Sequence, residues 1–152
     1  MTEGNLQVAI NAIHSAGSPH SFLGITHEGM TAVIRTSGNL DTHVVLRGGH
    51  KPNFDAESID ECRRMLASAA LEPRVMVDCS HAQTSKDYTE QPQLLRMLAD
   101  EGCARSTSIM GAMLESNIEA DNQPLGSNRA ELRNSMSITE PCVDWPTTER
   151  CL

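Results

Sequence analysis

The sequence lacks the features that mark several broad classes of protein. It has no long apolar run and no basic N-terminal segment, so we expect no membrane span, no signal peptide and a cytoplasmic location. Its five cysteines form no CxxC pair, which argues against a zinc ribbon or a disulfide framework. Lys and Arg number 12 against 20 Asp and Glu, and the net charge of -8 argues against a nucleic-acid surface. The remaining composition, 39% apolar and 21% charged over 152 residues, is that of an ordinary globular domain.

Apolar residues in the first third of the chain recur at helical and strand spacing. A helix over residues 6–17 ends at Gly17, and the run SFLGIT at 21–26 predicts a strand. The runs TAVIRT at 31–36 and HVVLR at 43–47 are separated by a Ser-Gly-Asn turn. This spacing predicts a β-hairpin between those two runs.

The rest of the chain continues the alternation of helix and strand. Asp55 is placed to cap a helix that Pro73 terminates, and VMVDC at 75–79 reads as the next strand. A further helix ends near Gly102, and IMGAML at 109–114 is the last continuous apolar run. This order predicts an α/β fold of parallel βα units with helices on the outside.

A polar side chain follows three of the predicted strands at a constant interval. Arg47, His81 and Glu115 are each 34 residues apart in the sequence, about the length of one βα unit. Because parallel strands end at one edge of a sheet, these residues are expected to converge there, although a chance alignment is the alternative. His and carboxylate ligands suit Mn, Fe, Co or Zn, and Arg47 with the following Gly48 suits an anion.

Four blocks of the chain resemble a known enzyme family. TSGNLDTHVVLRGG, RVMVDCSHAQTSKDY, IMGAMLESNIEADNQ and SITEPCVDWPTTERCL are similar, in this order, to successive blocks of class I 3-deoxy-7-phosphoheptulonate (DAHP) synthases. The resemblance implies a transferase of the shikimate pathway, which leads to chorismate and the aromatic amino acids. Its reaction would be a metal-dependent, aldol-type condensation of phosphoenolpyruvate with erythrose 4-phosphate.

The resemblance also implies a fold and a domain organisation. Residues 1–152 would be the C-terminal half of a (β/α)₈ TIM barrel, about strands five to eight plus a β-hairpin insertion. The N-terminal half would be absent and the last helix truncated, since a whole barrel takes roughly 250 residues. A half barrel has bare sheet edges, so we expect a homo-oligomer or association with the missing half.

Individual roles follow from the resemblance for five residues. Arg47 and Gly48 would bind phosphoenolpyruvate. His81 would be a catalytic metal ligand beside that substrate. Glu115 would be the second ligand of the divalent metal, and Glu140 would be the third.

Three residues depart from the pattern of the family. Glu140 replaces an Asp, which moves the carboxylate by about 1.5 Å if the backbone is held, more than the roughly 0.5 Å that a catalytic site tolerates. Asn117 stands where the family has His, and Gln83 where it has Asn. Each departure is expected to weaken the site without abolishing it.

The resemblance extends to regulation. The hairpin between residues 27 and 43 is similar to a regulatory insertion of the class I enzymes, and Phe22 and Gly24 would lie in an effector site for an aromatic amino acid. Gly24 is expected to leave extra room where other members carry Ser.

Two further functions stay open at this point. The chain could be a non-catalytic truncated remnant, or a partner subunit, that at most binds a metal or an anion. A third reading, a 3-deoxy-octulosonate 8-phosphate synthase, ranks lower because of the hairpin. Lys86, in the loop after the His81 strand, is predicted to be a solvated surface charge.

Overall fold

Side-chain caps start the first two helices of this protein. The computed structural model describes residues 4–105 and 109–152. Helix α1 (Leu6–Gly17) begins where Asn5 Oδ1 accepts a hydrogen bond from the Val8 amide at 3.2 Å. Helix α2 (Ala56–Ser68) begins at the predicted cap, since Asp55 Oδ1 accepts from the Ser58 amide at 2.9 Å. An Asx cap of this kind satisfies one of the amides that a helix start leaves without a partner.

The β-hairpin is formed by a different pair of strands from the predicted one. Strand β1 (His20–Ile25) pairs antiparallel with β2 (Thr31–Thr36), so the prediction that 31–36 pairs with 43–47 is wrong. The short connection favours this local pairing, since the Thr26 amide donates to the Met30 carbonyl at 2.9 Å.

The Ser-Gly-Asn segment leads the chain away from the hairpin. The Asn39 amide donates to the Ala16 carbonyl at 2.8 Å, which docks this segment on the end of α1. Gly38 has φ of +85° and lies against the Gly17 carbonyl, where any Cβ would collide with the backbone. Only glycine fits this contact, so the turn that suggested a hairpin is a helix-docking turn.

Three strands form a parallel sheet, as the sequence predicts. They are β3 (Val44–Leu46), β4 (Val75–Asp78) and β5 (Ile109–Met113), in the order β3-β4-β5. Helix α2 connects the first pair, and α3 (Gln91–Arg105) connects the second and runs beyond the predicted end near Gly102. The prediction of a mixed α/β fold with parallel strands is confirmed.

Beyond β5 the chain makes one more parallel contact. The Val143 amide donates to the Glu115 carbonyl at 2.9 Å, and the Asn117 amide donates to the Val143 carbonyl at 3.0 Å. A short helix, α4 (Trp145–Cys151), follows immediately. The segment before α4 therefore lies alongside the continuation of β5, and this brings Glu140 to the carboxyl edge of the sheet.

The hydrophobic core lies on one face of the parallel sheet. Side chains from β3 and β4 pack there with side chains from α1, α2 and α3. The buried members include Ile10, Val44, Leu46, Ile59, Cys62, Leu66, Val75, Val77, Leu94 and Leu98. The opposite face carries Val45 and Met113, which are 38% and 40% exposed. Among the described residues, no helix is both long enough and apolar enough to cross a membrane.

Candidate active site at the carboxyl edge of the sheet

The three polar residues that the sequence places after strands lie at the carboxyl edge of the sheet. Arg47 follows β3 directly, His81 comes three residues after β4 and Glu115 two residues after β5. Arg47, His81 and Glu115 are all partly buried, and Gly48 is buried with φ of +74°. At this edge the backbone of Gly48 adopts a conformation that favours glycine.

At the end of β4, the Asp78 carboxylate makes hydrogen bonds with both Ser80 and His81. This carboxylate is only 3% exposed, and its Oδ1 accepts from the Ser80 amide and from Ser80 Oγ, both at 2.9 Å. Its Oδ2 lies 2.9 Å from His81 Nδ1, and Ser80 Oγ lies 2.6 Å from the same nitrogen. Because a carboxylate only accepts hydrogen bonds, the proton of the neutral imidazole sits on Nδ1. The lone pair of Nε2 is therefore left for another partner.

The backbone of the His81 loop is unusual as well. His81, Ser85 and Lys86 have φ of 52°, 52° and 68°, in the left-handed region that side chains with a Cβ rarely enter. The Lys86 amide donates to the His81 carbonyl at 2.8 Å, which closes the loop. Such conformations persist where surrounding contacts enforce them, and they concentrate at functional sites.

His81 Nε2 points towards the carboxylate of Glu140. The distance from Nε2 to Glu140 Oε1 is 3.9 Å. The two side chains line a small pocket that also includes Ser80, Thr84, Lys86, Gln91 and Pro141. Lys86 is exposed, as predicted, and it also lines this pocket.

Glu115 is held nearby through its backbone. Its amide donates to Gln91 Oε1 at 2.9 Å, and its carbonyl accepts from Val143. Burial raises the pKa of the Cys142 thiol, a hydrogen bond with Ser137 opposes this, and the negative charges of Glu115 and Glu140 raise it further. The carboxylates of Glu115 and Glu140 therefore both raise the pKa of one buried thiol, that of Cys142.

The donor set suits a divalent metal only in part. Two ligands of one such ion lie about 3 to 4 Å apart, and the Nε2–Oε1 distance of 3.9 Å falls in that range. The carboxylate on Nδ1 is a common arrangement for a metal-binding imidazole. Within residues 4–105 and 109–152, however, no three His, Cys, Asp or Glu side chains are gathered to hold a metal ion. The structure thus brings His81 and Glu140 together, and the role of Glu115 as a further ligand stays a prediction.

Phe22 and Gly24 lie on the β-hairpin. Phe22 is 51% exposed, and a Cβ on Gly24 would collide with the Ile34 side chain across the hairpin. The end of the flexible Ile34 side chain occupies the space beside Gly24 in this structure. The placement of an effector beside Phe22 and Gly24 stays a prediction.

Three residues at this edge have contacts for which the sequence pattern indicated no role. Asp78 and Ser80 belong to the Asp-x-Ser-His motif, and this spacing after an apolar run lets one carboxylate cap the turn and reach the imidazole. Asn53 has no local signal, since its partner Gln83 is 30 residues away.

Comparisons with known proteins identify the family. The model of the DAHP synthetase I family matches residues 3–152. The chain belongs to the DAHP synthetase I family. The resemblance seen in the sequence motifs is therefore confirmed.

Relatives within the DAHP synthetase I family come from fungi and bacteria. The chain is 44% identical over 153 residues to a phospho-2-dehydro-3-deoxyheptonate aldolase of Alternaria alternata. The alignment covers 99% of this chain and 41% of that protein. It is 40% identical to the Tyr-sensitive enzyme of Escherichia coli, with coverages of 99% and 42%. It is 39% identical to the phenylalanine-inhibited enzyme of Saccharomyces cerevisiae, with coverages of 99% and 43%.

A solved structure shows the same fold. The phospho-2-dehydro-3-deoxyheptonate aldolase of Francisella tularensis superimposes with a TM-score of 0.89 at 40% identity, over 99% of this chain and 43% of that one. The chain thus spans about two fifths of the length of these DAHP synthetase I relatives.

Proposed function

We propose that this chain carries the C-terminal part of a DAHP synthase active site, for the condensation of phosphoenolpyruvate with erythrose 4-phosphate. The observation that carries the proposal is the His81 arrangement. Asp78 and Ser80 hold Nδ1, so that Nε2 faces Glu140 at 3.9 Å. A buried carboxylate that fixes the tautomer and direction of an imidazole is typical of a site built for chemistry or for metal binding.

The uncovered face of the sheet supports the proposal of a partial barrel. Helices α1, α2 and α3 all contribute to the core on one side, while Val45 and Met113 on the other side are substantially exposed. Parallel sheets are normally covered on both faces, and in a barrel the second face is covered by the remaining strands. Residues 1–152 would then be the C-terminal half of the barrel domain, in association with an N-terminal half.

The substrate anion would bind beside Arg47. Arg47 offers a planar guanidinium, and the Gly48 backbone has no side chain to block an approaching phosphate or carboxylate. In this proposal Arg47 and Gly48 hold phosphoenolpyruvate at the edge where His81 lies.

His81 and Glu140 would hold a divalent metal, with Glu115 as a further ligand from the neighbouring strand. When bound, an ion such as Mn, Fe, Co or Zn would polarise a carbonyl as a Lewis acid. His81 would serve this role through Nε2, and Asp78 orients the ring by accepting from Nδ1.

Regulation by an effector and the cellular compartment are also part of the proposal. The printed names of relatives describe Tyr-sensitive and phenylalanine-inhibited enzymes, and the hairpin around Phe22 and Gly24 is where we place an aromatic amino-acid effector. Cys62, Cys79, Cys142 and Cys151 are free thiols, which suits a reducing compartment such as the cytoplasm.

A condensation assay with Mn(II) tests the proposed activity. The purified chain is assayed alone and after coexpression with the upstream half of the Escherichia coli relative. We expect turnover in the coexpressed pair, with a loss of at least about 1,000-fold in kcat/KM for His81→Ala or Arg47→Ala. Arg35→Ala, on the exposed hairpin, is the control and should change little.

The alternative is a non-catalytic chain that binds at most a metal or an anion. It is favoured by one observation, that no three metal-binding side chains are gathered among the described residues. Inactivity of both preparations, with phosphoenolpyruvate or Mn(II) still bound in a titration, would support this alternative and reject the enzyme.

A further inference from the structure

Gln83 makes an unusual set of buried contacts. It is 5% exposed, and it lies in the loop that carries His81. Its Oε1 accepts from the Asn53 amide at 2.8 Å, while its Nε2 donates to Asn53 Oδ1 at 2.7 Å and to the Leu46 carbonyl at 3.2 Å. Both amide protons and the carbonyl oxygen of this side chain are therefore used, across 30 or more residues of sequence.

Asn53 extends these contacts to the other side of Arg47. Asn53 Oδ1 also accepts from the Gly48 amide at 2.8 Å. The carbonyl of Leu46 and the amide of Gly48 flank Arg47 in the chain. The carbonyl accepts a hydrogen bond from Gln83, and the amide donates one to Asn53. Two fixed peptide groups around one residue limit the directions in which its side chain can leave the backbone.

We propose that Gln83 and Asn53 are positioning residues that aim Arg47 at the anion and keep its loop in register with the His81 loop. This inference rests on the proposed function, because it takes Arg47 as the phosphoenolpyruvate anchor. The bound group would be a phosphate or carboxylate, anions that present two oxygens at a spacing that the planar guanidinium matches with two parallel hydrogen bonds. Such recognition depends on direction, so loss of the contacts around Arg47 reduces anion affinity more than it reduces metal affinity.

The length of the Gln83 side chain contributes to the positioning of Arg47. The sequence pattern suggested that Gln in place of Asn weakens the site, whereas the extra methylene gives a reach of about 1.5 Å more. That reach serves contacts with Leu46 and Asn53 together. Gln83→Asn is therefore expected to lose part of the contact set and to weaken anion binding by a few fold.

Titration of phosphoenolpyruvate into the 152-residue chain, followed by NMR, tests the inference. Gln83→Met keeps the length of the side chain and removes its hydrogen bonds, and we expect about a 10-fold weaker affinity for phosphoenolpyruvate. Mn(II) affinity, measured by electron paramagnetic resonance, should change less than about 2-fold. Gln93→Met, at an exposed position of α3, is the matched control and should change neither affinity.

Amide hydrogen exchange supplies a readout that does not depend on a ligand. In Asn53→Ala the Gly48 amide loses its acceptor, so its exchange should become at least about 10-fold faster while the amides of β4 keep their rates. If Gln83→Met does not fold, Asn53→Ala also tests anion affinity from the other side of the pair.

Each result decides one of the two proposals. Unchanged phosphoenolpyruvate affinity in Gln83→Met and Asn53→Ala would overturn the positioning role and leave the proposed function intact. Equal losses of anion and metal affinity would also overturn it, because they indicate a general structural effect. A wild-type chain that binds no phosphoenolpyruvate, with Arg47→Ala no different, would reject the proposed anion site and with it the positioning role.

Discussion

The two faces of the parallel sheet differ sharply, although alternate residues of the same strands build both. On the helix-covered face, Leu46 is 2% exposed and Val77 is 0% exposed. On the opposite face, Val45 is 38% exposed and Met113 is 40% exposed. All four are apolar, and residue type alone does not distinguish the faces.

This difference suggests separate roles for the two faces, one in the stability of the chain and one in association with further protein. Apolar residues on both faces of a strand are typical of a sheet that is covered on both sides, but only the helix side is covered by the residues described here. The covered face stabilises the chain by itself, whereas the open face is suited to further protein. The candidate site lies at the edge between them, where Asp78 ends β4.

Removing volume from the two faces should give the largest contrast. Leu46→Ala is expected to lower the free energy of unfolding by about 2 to 5 kcal/mol, because it leaves a cavity under the helices. Val45→Ala, one residue away on the open face, should lower it by less than about 1 kcal/mol. Denaturant unfolding followed by circular dichroism measures both. Equal losses would show that the two faces are equally covered in solution.

High pH should weaken the covered face through its thiols. Burial raises the pKa of Cys62 to about 11, and burial with the nearby Asp78 charge raises the pKa of Cys79 to about 12. The folded state then keeps protons that the unfolded state releases above pH 9, so stability falls as pH rises beyond that value. By pH 10 the loss is about 1 kcal/mol for each thiol.

Alanine variants isolate these contributions. Cys62→Ala and Cys79→Ala should each remove a comparable share of the thiol-dependent slope in unfolding measurements between pH 8 and 10, and Cys142, whose pKa is also raised, accounts for the remainder. A slope that stays the same in both variants would contradict the assignment to these buried groups.

Replacing Val by Thr, which keeps the shape but adds a hydroxyl, should change the free energy of unfolding least on the open face. Val77→Thr buries a hydroxyl and is expected to cost about 1 to 3 kcal/mol. Val45→Thr should change stability by less than about 0.5 kcal/mol. If Val45→Thr were as costly, or if it dissociated a dimer seen by sedimentation, the open face would be an interface between copies of this chain.

Local signals predicted the helices and the parallel strands well. Asp55 was recognised as a cap because an Asx side chain at a helix start acts within three residues. The hairpin was predicted wrongly, because Gly38 carries the composition of a turn while its role is to let the backbone pack on Gly17. That contact depends on two segments meeting in space, which local composition does not record.

The site shows the same division. The spacing of Arg47, His81 and Glu115 predicted that these residues share one edge, because parallel strands of similar length end together. The spacing did not predict that His81 Nε2 and Glu140 Oε1 lie 3.9 Å apart, or that Asp78 holds the other nitrogen of the ring. Distances of a few ångströms depend on side-chain packing, and strand order leaves them open.

By itself the sequence determined the family, the order of helices and strands, and the residues that reach the carboxyl edge. Each of these follows from short motifs and from spacing along the chain. Only the tertiary structure decided which nitrogen of His81 faces Glu140, and that Gln83 and Asn53 hold the backbone on both sides of Arg47. The reason is physical, since hydrogen bonds between residues 30 positions apart form only when folding has brought their loops together.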